Sequence, residues 1–559
     1  MGNTMRKYPP ICNAEDKMYY PLSFQQDRLW YLSLLQPEST VWNLISCKRL
    51  KGRVNIEVLQ QALEDIIDRH IVLRTRMKMI NSSPVQYFHE MDDNTFQYIN
   101  LSHMNEKQRE IEAINILNKE GLTPMNVNGG QLFYATLIKL NNNDYIIILK
   151  LHHIISDAAS FQIIWSELKQ IYNGYLGVTS NSTLPLLEYD YKDYSVWQKE
   201  NFIECKTREQ EEYWLKEFKD EVSILELPTD YSSPANITFN GALEKEKLPA
   251  DLVKKLRVLC LEKRVIMFSV LLSAYYVLLQ KYSHQEDIVI GTVFSGRHYN
   301  QKIQKLVGFF VNTVAIRMNV DEKLTFENFL KQVHKKVEDA YYMQDYPFER
   351  LIQKLNPDRS NNNSRNPLFR VMFNMVTSYE ENSKFDGVIS EEWLEPEVNS
   401  TQVDILFDIH NSSDGIDIVV EYNTDIFRRK TILRIIKHYK ELLHNIVSNP
   451  NGNIADIELI TEQDKKQLLI EWNNTYVEYP KSKSINELFE EQVDKMPDKI
   501  AVVYEDEELT YKELNQRTNK LGRLLIDKGI EAEDIVGIMT DRSIDMVVGI
   551  IGILKAGGA

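Results

Sequence analysis

The sequence predicts an α/β protein built from several units, on three observations. Two strand-like runs, 132–140 and 145–151, flank the polar turn Asn141-Asn142-Asn143-Asp144, a hairpin signature. Directly after them the period changes, and Phe161, Ile164, Trp165, Leu168, Ile171 and Tyr172 fall on one helical face. The same alternation of strand and helix returns at 265–447 and again after 484. A chain of 559 residues exceeds one simple core, so three or four units are expected.

In chain order, residues 1–18 read as a short polar lead. Residues 54–69 read as a helix, with Leu59, Leu63, Ile66 and Ile67 at helical spacing. The hairpin and the helix after Asp157 complete a first unit, 19–180. An aromatic-rich crossover opens the second, 181–452. It has an apolar helix at 265–280, strands at 287–293, 311–320, 369–376 and 416–422, and a closing helix at 430–447. Ser448-Asn449-Pro450-Asn451-Gly452 ends that helix. Residues 453–483 read as a linker with a short helix at 462–472, and a new unit starts at 484. Its apolar final run and terminal glycines are those of an incomplete domain.

The net charge of −16 disfavours nucleic acid and anionic membrane surfaces as partners. The four cysteines, Cys12, Cys47, Cys205 and Cys260, match no zinc or redox spacing, so no metal is expected. The start lacks the apolar core of a signal peptide, and the run 546–554 is too short to span a bilayer. The chain is expected in the cytoplasm.

The chemistry concentrates at Leu151-His152-His153-Ile154-Ile155-Ser156-Asp157, where a strand gives way to a loop and then a helix. On a continuing strand the two histidines would face opposite ways, so one can meet a cavity while the other packs inside. An imidazole near neutrality can take a proton from an attacking amine or hydroxyl, which points to acyl transfer. Asp157 follows two isoleucines, so burial is expected, and a buried carboxylate needs a partner. Arg74 and Arg317 are the candidates, and the pair would hold the loop that presents His153.

These residues carry a family resemblance. His152-His153-x-x-x-Asp157 is similar to the signature of nonribosomal peptide synthetase condensation domains, and six further segments resemble that family's motifs in order. They are Leu22-Ser23-Phe24-Gln25-Gln26-Asp27-Arg28-Leu29-Trp30, Arg69-His70-Ile71-Val72-Leu73-Arg74-Thr75, Tyr191-Lys192-Asp193-Tyr194-Ser195-Val196-Trp197, Val307-Gly308-Phe309-Phe310-Val311-Asn312-Thr313, Gln344-Asp345-Tyr346-Pro347-Phe348-Glu349 and Ser364-Arg365-Asn366-Pro367-Leu368. Ser156, Ala158, Arg28, Asn312 and Trp197 are thereby marked as tunnel or motif positions beside the catalytic His153 and His152.

The resemblance implies two chloramphenicol-acetyltransferase-like lobes forming a V-shaped pseudo-dimer, with the histidines at the centre of a tunnel. It implies amide formation between an acyl or aminoacyl donor thioester and an aminoacyl acceptor, each on the phosphopantetheine arm of a carrier domain. No cofactor would be bound covalently by this chain. The donor carrier would come from another polypeptide, and the acceptor carrier lies outside this chain. His153 either removes the amine proton or orients the amine. The opening motif resembles domains that join two L-residues, and retention of both histidines excludes the heterocyclising type. Ala158 stands where the family has glycine, Ala159 where tryptophan is common, Ile71 where glutamate is usual and Met343 where histidine or asparagine is usual. A narrower substrate scope is expected at Ala158. The alternatives are an ester-forming or free-amine acyltransferase, or a silent docking platform.

Leu509-Thr510-Tyr511-Lys512-Glu513-Leu514 resembles the first core motif of adenylation domains, and Leu554-Lys555-Ala556-Gly557-Gly558-Ala559 the start of the second. The segment 484–559 is then a truncated adenylation subdomain, expected to bind no ATP.

Overall fold

The computed structural model describes residues 10–559 except 93, 179–183, 202–207, 235–237, 299–300, 356–365, 378–383, 395 and 397–399. Cys205, Ser364, Arg365 and the first half of the polar lead lie outside the described residues. The chain divides into two compact units, 1–462 and 463–559.

Unit 1 contains three sheets, the smallest running Tyr20–Pro21, Ser83–Phe88, Thr75–Ile80. The five-stranded sheet runs Val388–Glu392, Asn43–Gly52, Asp144–His152, Phe133–Asn141, Phe96–Asn100. The expected hairpin is present: Phe133–Asn141 and Asp144–His152 pair antiparallel, Phe133 opposite Leu151. The strand Asp144–His152 is central and apolar on both faces, as a strand covered on two sides must be. Tyr145, Ile147, Leu149 and Leu151 face a core shared with the helices Ile56–Arg69 and Ala158–Tyr175. Ile146 and Ile148 face the helix Glu106–Leu122 through Ala113 and Leu117.

Local chemistry sets the helix starts. Asn55 caps Ile56–Arg69 by accepting from the Val58 N–H. Asp157 caps Ala158–Tyr175 in a reciprocal box with Ser160.

The six-stranded sheet runs Asn312–Asn319, Asp287–Phe294, Val371–Thr377, Ile405–Ser412, Gly415–Asn423, Gly241–Lys247. The helices Met267–Ser283, Phe326–Met343 and Arg429–Ser448 share its core. The lobes interleave more than the sequence suggested. Val388–Glu392, inside the stretch expected to belong wholly to the second lobe, pairs with Asn43–Gly52 of the first. Tyr191, Tyr194, Trp197, Val307 and Phe310 are likewise buried in the first lobe's core. Ile454 and Ile457, at the start of the expected linker, pack in the second lobe's core.

Unit 2 has the helix Ile485–Lys495, the hairpin Ile500–Tyr504 with Glu507–Thr510, and the helices Tyr511–Asp527 and Ile544–Ala556. Thr510 caps Tyr511–Asp527 in a box with Glu513. Leu509, Leu514, Ile544 and Val548 form its small core. Among the described residues no helix is long and apolar enough to cross a membrane.

Candidate active site

His152 is the last residue of its strand and His153 opens a 3-10 turn, His153–Ile155. The break puts the two rings in different surroundings. His152 is buried, and its Nδ1 accepts from the Ile154 N–H at 3.1 Å. Burial, aided by the neighbouring imidazole, pushes its pKa down to about 3, so the ring is neutral near pH 7.

His153 is half-buried. Its Nδ1 lies 2.8 Å from the Ser156 carbonyl oxygen. A carbonyl only accepts, so Nδ1 carries the proton and Nε2 keeps the lone pair. Burial lowers the pKa of this ring too, opposed by the Ser156 hydrogen bond and Asp157. Ser156 therefore acts through its backbone; its hydroxyl donates to the His152 carbonyl at 3.1 Å. The His153 ring sits against Phe309 at 4.7 Å between centroids, with Trp42 at 6.5 Å.

Asp157 has the expected arginine partner, but it is neither candidate. Arg297 Nη2 donates to both carboxylate oxygens, at 2.8 and 3.1 Å, and the two side chains are only 6% and 5% exposed. Asp157 also accepts from the backbone N–H of Ser160 at 2.9 Å and of Phe310 at 3.3 Å. Arg297 Nη1 donates to the carbonyls of Ile303 and Leu306, and the guanidinium lies over the Phe310 ring at 4.2 Å. The carboxylate is fully engaged, so it fixes the loop and is not free to act as a base.

The two candidates are placed elsewhere for clear reasons. Arg317 forms a fork with Asp287 at 2.8 and 2.7 Å, across the strand pair Asn312–Asn319 and Asp287–Phe294. Arg74 lies 3.8 Å from Asp68, at the end of the first lobe's 3-10 turn Ile71–Arg74. The missed residue had a local signal in Ser295-Gly296-Arg297, a glycine-arginine step directly after an apolar strand. Gly296 has φ +63°, and a Cβ there would stand 1.9 Å from the Phe310 oxygen. Only glycine turns the chain tightly enough to aim Arg297 at Asp157.

The segment Gly308-Phe309-Phe310 clamps the second lobe onto the histidine loop. Gly308 N–H donates to Ser160 Oγ at 3.1 Å, and Tyr191 Oη donates to the Phe309 carbonyl at 2.6 Å. Ala158, the first residue of its helix, is exposed, so its methyl meets open space rather than packing. Trp197 is buried and stacks on Tyr194 at 6.0 Å, which makes it a core residue.

Arg28 and Asn312 line a pocket with Phe24, Gln25, Phe309, Phe348 and Glu349. Gln25 donates to Asn312, and Arg28 lies 3.4 Å from Glu349. Burial pushes the Glu349 carboxyl above its ordinary range, opposed by Arg28. Among the described residues no group of His, Cys, Asp and Glu is placed to hold a metal ion.

Residues 16–469 match the condensation-domain family model, and residues 489–559 match that of AMP-binding enzymes. The chain is 36% identical over 554 residues to gramicidin S synthase 2 of Brevibacillus brevis, covering 99% of this chain and 12% of that protein. It is 36% identical over 558 residues to tyrocidine synthase 2 of Brevibacillus parabrevis, covering 100% of this chain and 15% of that one. It thus spans a small fraction of these relatives. Among solved structures, a four-domain nonribosomal peptide synthetase bound to AMP and glycine superposes with a TM-score of 0.83 at 21% identity, over 100% of this chain and 42% of that one. The starter condensation domain of rhizomide synthetase superposes at 0.68 and 18% identity, over 79% and 98%.

Proposed function

The chain belongs to the condensation-domain family of nonribosomal peptide synthetases, continuing into the start of an AMP-binding domain, and from that premise we propose that it joins a carrier-bound acyl or aminoacyl donor to a carrier-bound aminoacyl acceptor. The observation that carries this reading is His153, half-exposed beside Phe309, with Nδ1–H held by the Ser156 carbonyl. Nε2 is then a fixed proton acceptor. The acceptor amine attacks the donor thioester carbonyl carbon, forming the C–N bond. The amine proton passes to His153 Nε2, the C–S bond breaks, and the proton returns to the leaving thiolate. General-base help of this kind is typically worth about 10²–10⁴-fold. Holding both substrates in one site adds proximity and excludes competing water.

Asp157 and Arg297 hold the loop and take no proton in this scheme. The donor would arrive on a carrier from another polypeptide and the acceptor on a downstream carrier, both through phosphopantetheine arms. The opening motif favours two L-configured residues. Residues 489–559 contribute no adenylation in this reading.

The test is an intact-mass assay with an aminoacyl or fatty-acyl donor carrier and an aminoacyl acceptor carrier, with a soluble amine as a parallel acceptor. Product mass on the acceptor carrier, lost in His153→Ala, supports the reading. Transfer only to the soluble amine supports a free-amine acyltransferase. No transfer by a folded protein that binds both carriers supports a docking platform.

A further inference from the structure

Phe309 belongs to two places at once. Its ring stands 4.7 Å from that of His153, and it also forms a wall of the pocket containing Phe24, Gln25, Arg28, Phe348 and Glu349. Four polar residues of that pocket pair with one another: Gln25 donates to Asn312, and Arg28 pairs with Glu349 while lying 5.5 Å over the Phe348 ring. Val311, Thr313 and Pro347 complete the lining, and Lys199 lies over the Phe24 ring as Arg28 lies over Phe348, so Phe309 is the aromatic wall of the pocket that stands beside His153.

The backbone under Phe309 cannot retreat. Its carbonyl accepts from Tyr191 at 2.6 Å. On one side Gly308 donates to Ser160, and any Cβ on Gly308 would stand 2.1 Å from the Tyr191 ring. On the other side Phe310 N–H donates to Asp157, and its buried ring lies under Arg297. Phe309 itself is only half-buried. A side chain free at its tip on a backbone pinned on both sides is a fixed wall rather than a lid.

We propose that Phe309 is a specificity-determining residue, whose ring limits the size of the apolar substrate group, acceptor side chain or donor acyl chain, seated beside His153. This rests on the condensation reading above. Removing the ring lengthens the pocket towards His153, and enlarging the ring shortens it. One methylene in an apolar pocket is typically worth about 10–200-fold in discrimination.

The experiment uses the 559-residue protein and its Phe309→Ala, Phe309→Leu and Phe309→Trp variants. In one arm the donor is fixed and the acceptor carrier bears alanine, leucine or phenylalanine. In the other the acceptor is fixed and the donor acyl chain is lengthened. Phe309→Ala is expected to raise kcat/KM for the largest group relative to the smallest by about tenfold or more in one arm, with Phe309→Trp moving it the other way. The responding arm identifies the substrate. An unchanged ratio in both arms overturns the proposal, a uniform loss of rate included. Calorimetry with stable amide-linked carrier analogues gives the corresponding ratio of affinities without turnover. A wild type that binds these analogues but condenses nothing refutes the condensation reading alone, and size-independent shifts in analogue affinity across the variants overturn the role of Phe309.

Discussion

Replacing Arg297 by methionine keeps most of the side-chain volume and removes the charge that neutralises Asp157. The two side chains are 6% and 5% exposed, so water cannot replace the lost fork at 2.8 and 3.1 Å. Breaking one member of a buried pair typically costs about 3–5 kcal/mol, because the other charge is left uncompensated. Two backbone hydrogen bonds to Asp157 remain, from Ser160 and Phe310, which places the expectation near about 3 kcal/mol. Asp157→Asn in the Arg297→Met background removes the stranded charge and is expected to recover part of that loss. A coupling of about 1–3 kcal/mol follows for residues in direct contact. The assay is a double-mutant cycle by urea denaturation, with hydrogen exchange of the 153–165 segment as the local readout. Arg74→Met and Arg317→Met serve as controls and are expected to be additive with Asp157→Asn. Additivity of Arg297→Met with Asp157→Asn, or equal coupling in the controls, would refute the assignment of Arg297 as the partner.

Burial lowers the pKa of His153 below its usual 6.5, so its basic form persists into mild acid. Once the acceptor amine's own titration, at about 7.7–8.0, is divided out of kcat/KM, the remaining acid limb is expected below 6.5, and a second limb above 6.5 that is lost in His153→Ala contradicts this. His152 is shifted to about 3, so the unfolded chain binds more protons than the native one between about 3 and 6.5. Its contribution to stability is therefore complete above 6.5 and is lost as pH falls through that window; His152→Asn should flatten the urea-midpoint profile there. Gly308→Ala should be strongly destabilising, by about 1–3 kcal/mol or more, since the new methyl would stand 2.1 Å from the Tyr191 ring. Tyr191→Ala in the same background should restore part of the loss of Tm. Ala158→Gly should change stability by less than about 1 kcal/mol and rate by only a few-fold, because that methyl is exposed; a gain in kcat/KM well beyond that would show that the methyl crowds the substrate.

Part of the local order was legible from neighbours along the chain, although the helices Phe24–Leu35 and Glu106–Leu122, capped by Ser23 and Asn105, were not read. The hairpin about residues 141–144 and the helix after Asp157 follow from periodicity and turn residues, and the structure has both. The need of Asp157 for a cation was equally legible, from the isoleucines that precede it. The identity of that cation was not. Arg297 lies 140 residues downstream, and its approach depends on the turn at Gly296 and on the interleaving of the lobes. Arg74 and Arg317 have motif spacing in their favour, but their nearest carboxylates are Asp68 and Asp287.

The two histidines divide in the same way. Their adjacency marks a site of proton chemistry from the sequence alone. Which ring is buried and which is left half-exposed is decided by where the strand ends, because His152 stays in the sheet while His153 turns out against Phe309. Secondary structure and capping are short-range free energies, written within a few residues of one another. Charge pairing, desolvation and the fit of one lobe against the other depend on distances that exist only once the chain has folded, and those distances determine what this site can do.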